Sequence, residues 1–134
     1  MKPYRLFISG LGLAALAAML SGCQLGGGGG GGGSVDVSDA AYGLSVRLAD
    51  SIGRCWFAQS DATFAGYVYT PERNAGVSRI MVVKKDQPTG LPALVVEATG
   101  AASANVYGPL ATSPAGPRIR ADVDRWARGG TGCT

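Results

Sequence analysis

Histidine is absent from the 134 residues. Without it no Ser-His or Cys-His nucleophile pair can be built, and no imidazole is available to a metal. Charge is sparse too: Asp, Glu, Lys and Arg make up 16% of the chain, and only nine residues are acidic. Few carboxylates are therefore at hand for acid-base work. Cysteine occurs three times, an odd number that intramolecular disulfides alone cannot consume. The apolar run from Ile8 to Leu20 falls short of the roughly 20 residues a bilayer-crossing helix needs.

That run is nevertheless informative in its setting. It follows a tip carrying Lys2 and Arg5 and ends in Leu20-Ser21-Gly22-Cys23. Basic tip, short apolar run and small residues before a cysteine resemble the signal and lipobox of bacterial lipoprotein precursors. The resemblance implies that the Cys23 thiol accepts a diacylglyceryl group, that the chain is cut before Cys23, and that the new amine is acylated. Several acyl chains on one residue give durable anchoring, because each buried methylene contributes about 0.8 kcal/mol and a single chain is marginal. The expected partner is thus the lipid bilayer, through acylated Cys23. Gln24, where an aspartate would favour the inner membrane, points to the outer membrane and its periplasmic side.

Eight consecutive glycines, Gly26 to Gly33, follow, extended by Ser34. Glycine loses the most backbone entropy on ordering, so a flexible tether is expected, with a root-mean-square reach on the order of 20 Å and an extended limit of about 40 Å. A phosphate-cradling loop is disfavoured, because no Gly-Lys-Ser/Thr follows the run. The chain thus divides into a signal (1–22), a lipidated cysteine with tether (23–34) and a single small domain (35–134). Setting aside Lys2 and Arg5 leaves ten basic against nine acidic residues, too balanced for a nucleic-acid footprint.

Within the domain, Val37, Ala41, Leu44, Leu48, Ile52 and Cys55 recur at helical spacing, with Asp36 or Ser38 able to cap the start. This predicts a helix from Ser38 to Arg54. Trp56 and Phe57 read as core plugs beneath a disulfide. Thr63 to Thr70 alternates as a strand, with Phe64, Gly66 and Val68 on one face and Ala65, Tyr67 and Tyr69 on the other, ended by Pro71. Further strands are expected at Arg79 to Val83, Ala93 to Ala98 and around Asn105 to Tyr107, joined by short turns as an antiparallel meander. Thr112 to Pro117 reads as loop. Arg118 to Arg128 fits either period, but Asp122 as a cap and Gly129-Gly130 beyond it favour a short terminal helix. The fold class is α+β: an N-terminal helix, a three- to four-stranded antiparallel meander, a short C-terminal helix and one disulfide.

If lipidation consumes Cys23, Cys55 and Cys133 remain, and an oxidising envelope would pair them. Glu97 with Asp122 or Asp124 could in principle form an acid-base pair, but capping and surface charge explain these residues equally, and no catalytic residue is assigned. Tyr67 and Tyr69 share a strand face and could stack on a sugar or peptide, although core or half-buried packing is the more common outcome for such a stripe. No metal site or cofactor is expected.

Cys55-Trp56-Phe57, Gly90-Leu91-Pro92-Ala93-Leu94-Val95-Val96 and Arg125-Trp126-Ala127-Arg128-Gly129 give the domain a similarity to small uncharacterised lipoproteins of alphaproteobacteria. That resemblance implies an address without an activity. The expectation is a non-catalytic binding or structural module that meets an envelope protein or the cell wall. A periplasmic carboxylate-dependent hydrolase, or an inhibitor or accessory factor of an envelope enzyme, stands as the alternative. A protruding Pro109 to Pro117 loop would favour the inhibitor.

Overall fold

The computed structural model describes residues 36–134. The expected signal, Cys23 and the glycine tether lie outside them. Helix α1 spans Val37–Ile52, and the Asp36 carboxylate accepts a hydrogen bond from Ser38 N at 2.9 Å, satisfying one of the unpaired amides of the first turn. The same bond holds the Asp36 carboxyl below its ordinary pKa. Ala41, Leu44, Leu48 and Ile52 form the buried stripe that the spacing predicts, but Val37, which the spacing also places on it, is the first residue of the helix and stays exposed.

After Ile52 the helix widens into a π-type turn, Gly53–Phe57. A side chain at Gly53 would press on the Tyr69 hydroxyl, so the missing side chain gives room for this close approach. The wide turn carries Cys55 and Trp56 inward, and a short 3-10 turn, Ala62–Phe64, buries Phe64. Trp56 stacks on Phe64 with ring centroids 4.5 Å apart and meets Trp126 at 5.2 Å.

Four strands follow as the meander β1 Tyr67–Asn74, β2 Val77–Lys84, β3 Leu94–Ala98 and β4 Ala104–Tyr107, each antiparallel to its sequence neighbour. Strand β1 starts later and ends later than the alternation suggests. Residues 62–64 are helical, and the strand runs through Pro71, which sits opposite Ile80. Proline is tolerated there because β1 is an edge strand with one side free of a partner.

The segment expected as loop also departs from the sequence reading. A single turn, α2 Pro109–Thr112, precedes α3 Gly116–Ala127. Pro109 and Pro117 each stand in a first helical turn, where the missing N–H costs nothing. Gly108 adopts φ 113°, and a Cβ there would press on the Ala93 carbonyl. The Ala111 carbonyl accepts from Arg120 Nη1 at 2.8 Å, which holds α2 against α3. The 118–128 ambiguity resolves as helix, but Asp122 lies in the middle of it and not at its cap.

Pairing register assigns the two faces of the sheet. Ile80 opposite Val96 and Val82 opposite Leu94 point to one side, where all four are fully buried in a single core with Leu44, Leu48, Ile52, Ile119, Val123 and Trp126. Helices α1 and α3 therefore cover one face. Cys55 and Cys133 are disulfide-bonded, with Cα atoms 5.3 Å apart. Among the described residues no helix is long and apolar enough to cross a membrane.

Candidate functional site

The face of the sheet opposite the helices is built from the other residue of each alternation. Thr70 pairs with Met81, Met81 with Val95, and Val95 with Tyr107, giving one row across all four strands. Val68 opposite Val83 adds a flank at the β2–β3 end. None of these residues belongs to the core cluster. Val83 and Val95 are nonetheless buried, at 5% and 8% exposure. Tyr107 stands out at 43% exposure on the edge strand.

The next row is charged. Glu72 pairs with Arg79, Arg79 with Glu97, and Glu97 with Asn105. Arg79 Nε donates to Glu72 Oε2 at 2.6 Å, and the Tyr107 hydroxyl donates to Glu97 Oε2 at 3.0 Å. Its hydrogen bond to Glu72, and then the Glu72 charge, raise the Arg79 pKa, so this guanidinium stays protonated. Burial first, and then the hydrogen bond to Glu97, raise the Tyr107 phenol above its usual value. The row is suited to presenting fixed donors and acceptors beside an apolar surface. It offers no hydroxyl poised to ionise.

A second polar cluster lies on the helix side. Asp122 is 1% exposed and accepts from Trp56 Nε1 at 3.0 Å, Thr134 Oγ1 at 2.7 Å and Arg125 Nη2 at 2.6 Å. Arg118 stands 3.6 Å away and bonds Asp61 at 2.8 Å. Burial pushes the Asp122 carboxyl up, but the bonds from Trp56, Thr134 and Arg125 with the Arg125 charge outweigh it, and the pKa is lowered. An anion held by so many donors is a structural tie between α3, the π turn and the C-terminal residues. Sequence reasoning assigned Asp122 to a cap. Its Arg neighbours at i−4 and i+3, on the stripe of Ile119, Val123 and Trp126, were the available signal.

Tyr67 and Tyr69 do share a face, and it is the helix side: both are partly buried against the core, with Tyr69 4.8 Å from Phe57. Glu97 and Asp122 sit on opposite sides of the sheet, and Asp124 lies 3.9 Å from Arg128 on α3. No group of three or more candidate metal ligands occurs among the described residues. Comparison with known families, curated proteins and solved structures finds no match.

Proposed function

We propose that this chain is an envelope lipoprotein, anchored through acylated Cys23 on the periplasmic side of the outer membrane, whose domain is a non-catalytic binding or structural module. The observation that carries the binding reading is the sheet face bearing Val68, Met81, Val83, Val95 and Tyr107, over which none of the described helices packs. Beside it, the Glu72–Arg79 pair and the Tyr107–Glu97 bond supply a polar rim of the kind that sets orientation in protein contacts. The carboxylate-hydrolase reading is less favoured because Glu97 and Asp122 cannot address one substrate bond from opposite sides of the sheet. The inhibitor reading loses its protruding loop, since the 109–117 segment is largely helical and tied back by Arg120.

The test has two arms. Mass analysis of the mature N-terminus should find Cys23 acylated, and Cys23→Ala should release the protein from membranes. A photocrosslinking residue placed at Met81 or Tyr107 should give discrete adducts in envelope membranes, whereas one at Asp50 on the exposed side of α1 should not. Equal labelling from all three positions, or turnover of a cell-wall substrate by the purified chain, would overturn the binding role.

A further inference from the structure

Strand β1 has a sheet partner on one side only. Lys85 N donates to Gly66 O at 3.0 Å, and the Ala75-Gly76 turn, with φ 48° and 81°, closes β1 onto β2 at Asn74 and Val77. Bonded and unbonded pairs alternate between these points, so Val68, Thr70, Glu72 and Asn74 turn their amides and carbonyls towards β2. Tyr67, Tyr69, Pro71 and Arg73 turn theirs outward, as three donors and four acceptors, since Pro71 has no N–H. Among the described residues no other backbone group bonds to them. The wall beside this edge is a second stripe of α1. Tyr42, Val46 and Ala49 recur at i, i+4 and i+7 beside the core stripe, and Tyr42 and Val46 stay 43% and 52% exposed. With Ser45 they face Pro71 and Arg73 across a groove of about 310 Å³. Charges border it. At one end Arg73 lies 4.4 Å over the Tyr42 ring and pairs with Asp39 at 3.2 Å, both solvent-exposed. Glu72 also lines the groove, with its carboxylate held by Arg79 at 2.6 Å. At the other end of β1, Lys84 stands opposite Tyr67, and exposed Lys84, Lys85 and Asp86 leave one positive charge in excess. Asp61, which lines a hollow with Lys85, is taken by Arg118 at 2.8 Å.

We propose that this edge and groove bind an extended peptide segment, which joins the sheet antiparallel to β1, seats an aliphatic side chain in the groove and places a carboxylate at the lysine end. The site depends on neither the lipid anchor nor the open sheet face. Outward donors and acceptors at alternate residues of one strand are matched by extended backbone. A ligand residue opposite Pro71 turns its side chain to the α1 side, into the groove. Tyr67 lies four residues back along β1, about 13 Å away, where the excess positive charge complements an acidic residue. Every pair in the sheet is antiparallel, and that direction puts the acid four residues C-terminal to the aliphatic residue. A second copy of this chain is the poorer occupant. Pro71 stands near the middle of β1, so two-fold pairing along the whole edge sets both prolines in the ladder and leaves two carbonyls without a donor, where a peptide leaves one.

The test is amide hydrogen exchange on the full chain with the probe peptide acetyl-Thr-Leu-Thr-Val-Thr-Glu-Thr-amide. The Tyr67, Tyr69 and Arg73 amides should exchange fast alone and slow markedly with the probe, while those of Thr70 and Glu72, already bonded to β2, should not change. N-methylation of the probe valine, whose amide meets the Tyr69 carbonyl, should weaken binding about tenfold. Val46→Asp changes an exposed side chain and should weaken binding to a similar degree with the melting curve unchanged. Lys84→Glu should weaken it less, and a probe with lysine in place of its glutamate should restore it. Absence of protection at Tyr69 and Arg73 would overturn the inference, and so would an N-methylated probe that binds as tightly as its parent. Protection of these amides without probe would overturn it as well: a rise with protein concentration would give the edge to a second copy, and independence of concentration would give it to another part of the same chain.

Discussion

The two faces of the sheet divide the work of this domain. On the helix side, Ile80, Val82, Leu94 and Val96 are fully buried beneath α1 and α3, and the Trp56–Phe64–Trp126 cluster, the disulfide and the Asp122 hub close that side. On the other side, residues of comparable type, Val68, Met81, Val83 and Val95, stand outside that core cluster, beside Thr70, Arg79, Glu97 and Tyr107. A domain of about 100 residues has a modest core, so cross-links and buried polar ties concentrated on one side are what let the second remain uncommitted. Side chains of the same chemistry thus build the shared core on one face and a half-buried surface outside that core on the other.

The strongest way to break this division is to open the helix side. Trp56→Ala removes a fully buried ring, its stack on Phe64 and its bond to Asp122, and should cost about 3–5 kcal/mol in chemical denaturation. Cys133→Ser should follow at about 2–5 kcal/mol, lowering the melting temperature by several degrees, because the bond closes a loop between residues 78 apart. An unchanged melting curve would remove the cross-link from the account.

Asp122→Asn is expected to cost less, about 1–3 kcal/mol, since Arg118 and Arg125 are each about one-third exposed and partly hydrated. It also has a signature in pH. The folded pKa of Asp122 is lowered relative to the unfolded value near 3.9. Its stabilisation is therefore complete above that value and lost as pH falls through the lower folded one. The asparagine variant should flatten this acid limb, measured as unfolding free energy between about pH 5 and 2. The smallest effect on stability belongs to the open face: Tyr107→Ala should stay within about 1 kcal/mol while abolishing crosslinks from Met81. A large loss of stability there would mean that the two faces are not divided at all.

Much of this architecture can be read from residue patterns because local signals agree with the tertiary result. The α1 stripe, the alternation in β2 and β3 and the two cysteines left for pairing all have short-range or compositional causes. The misplaced boundaries share a cause as well. Pro71 looks like a stop until the strand is known to be an edge, and Pro109 and Pro117 look like breakers until each falls in a first helical turn. Asp122 is a harder case: its partners Trp56 and Thr134 come from distant parts of the chain, and only folding brings them together. Tyr67 and Tyr69 are an easier case: their shared face and their half-buried packing were both legible in the alternation, and only the side of the sheet they take was left open. The open face lay in the alternation Val77, Arg79, Met81, Val83 of β2, a charged residue among apolar ones on the side away from Ile80 and Val82.

The covalent link between Cys55 and Cys133 also has a bearing on the order in which the domain assembles. Each strand pairs with its immediate sequence neighbour, so the sheet can zip from local turns with little loop entropy to overcome at any step. The sulfur atoms are different: 78 residues separate them, so their pairing closes a long loop that the strand turns do not. Assembly that brings the π turn and the C-terminal residues together therefore favours the oxidised form, and the bond in turn holds the two ends in place. Trapping free thiols during refolding would follow how the two processes are coupled.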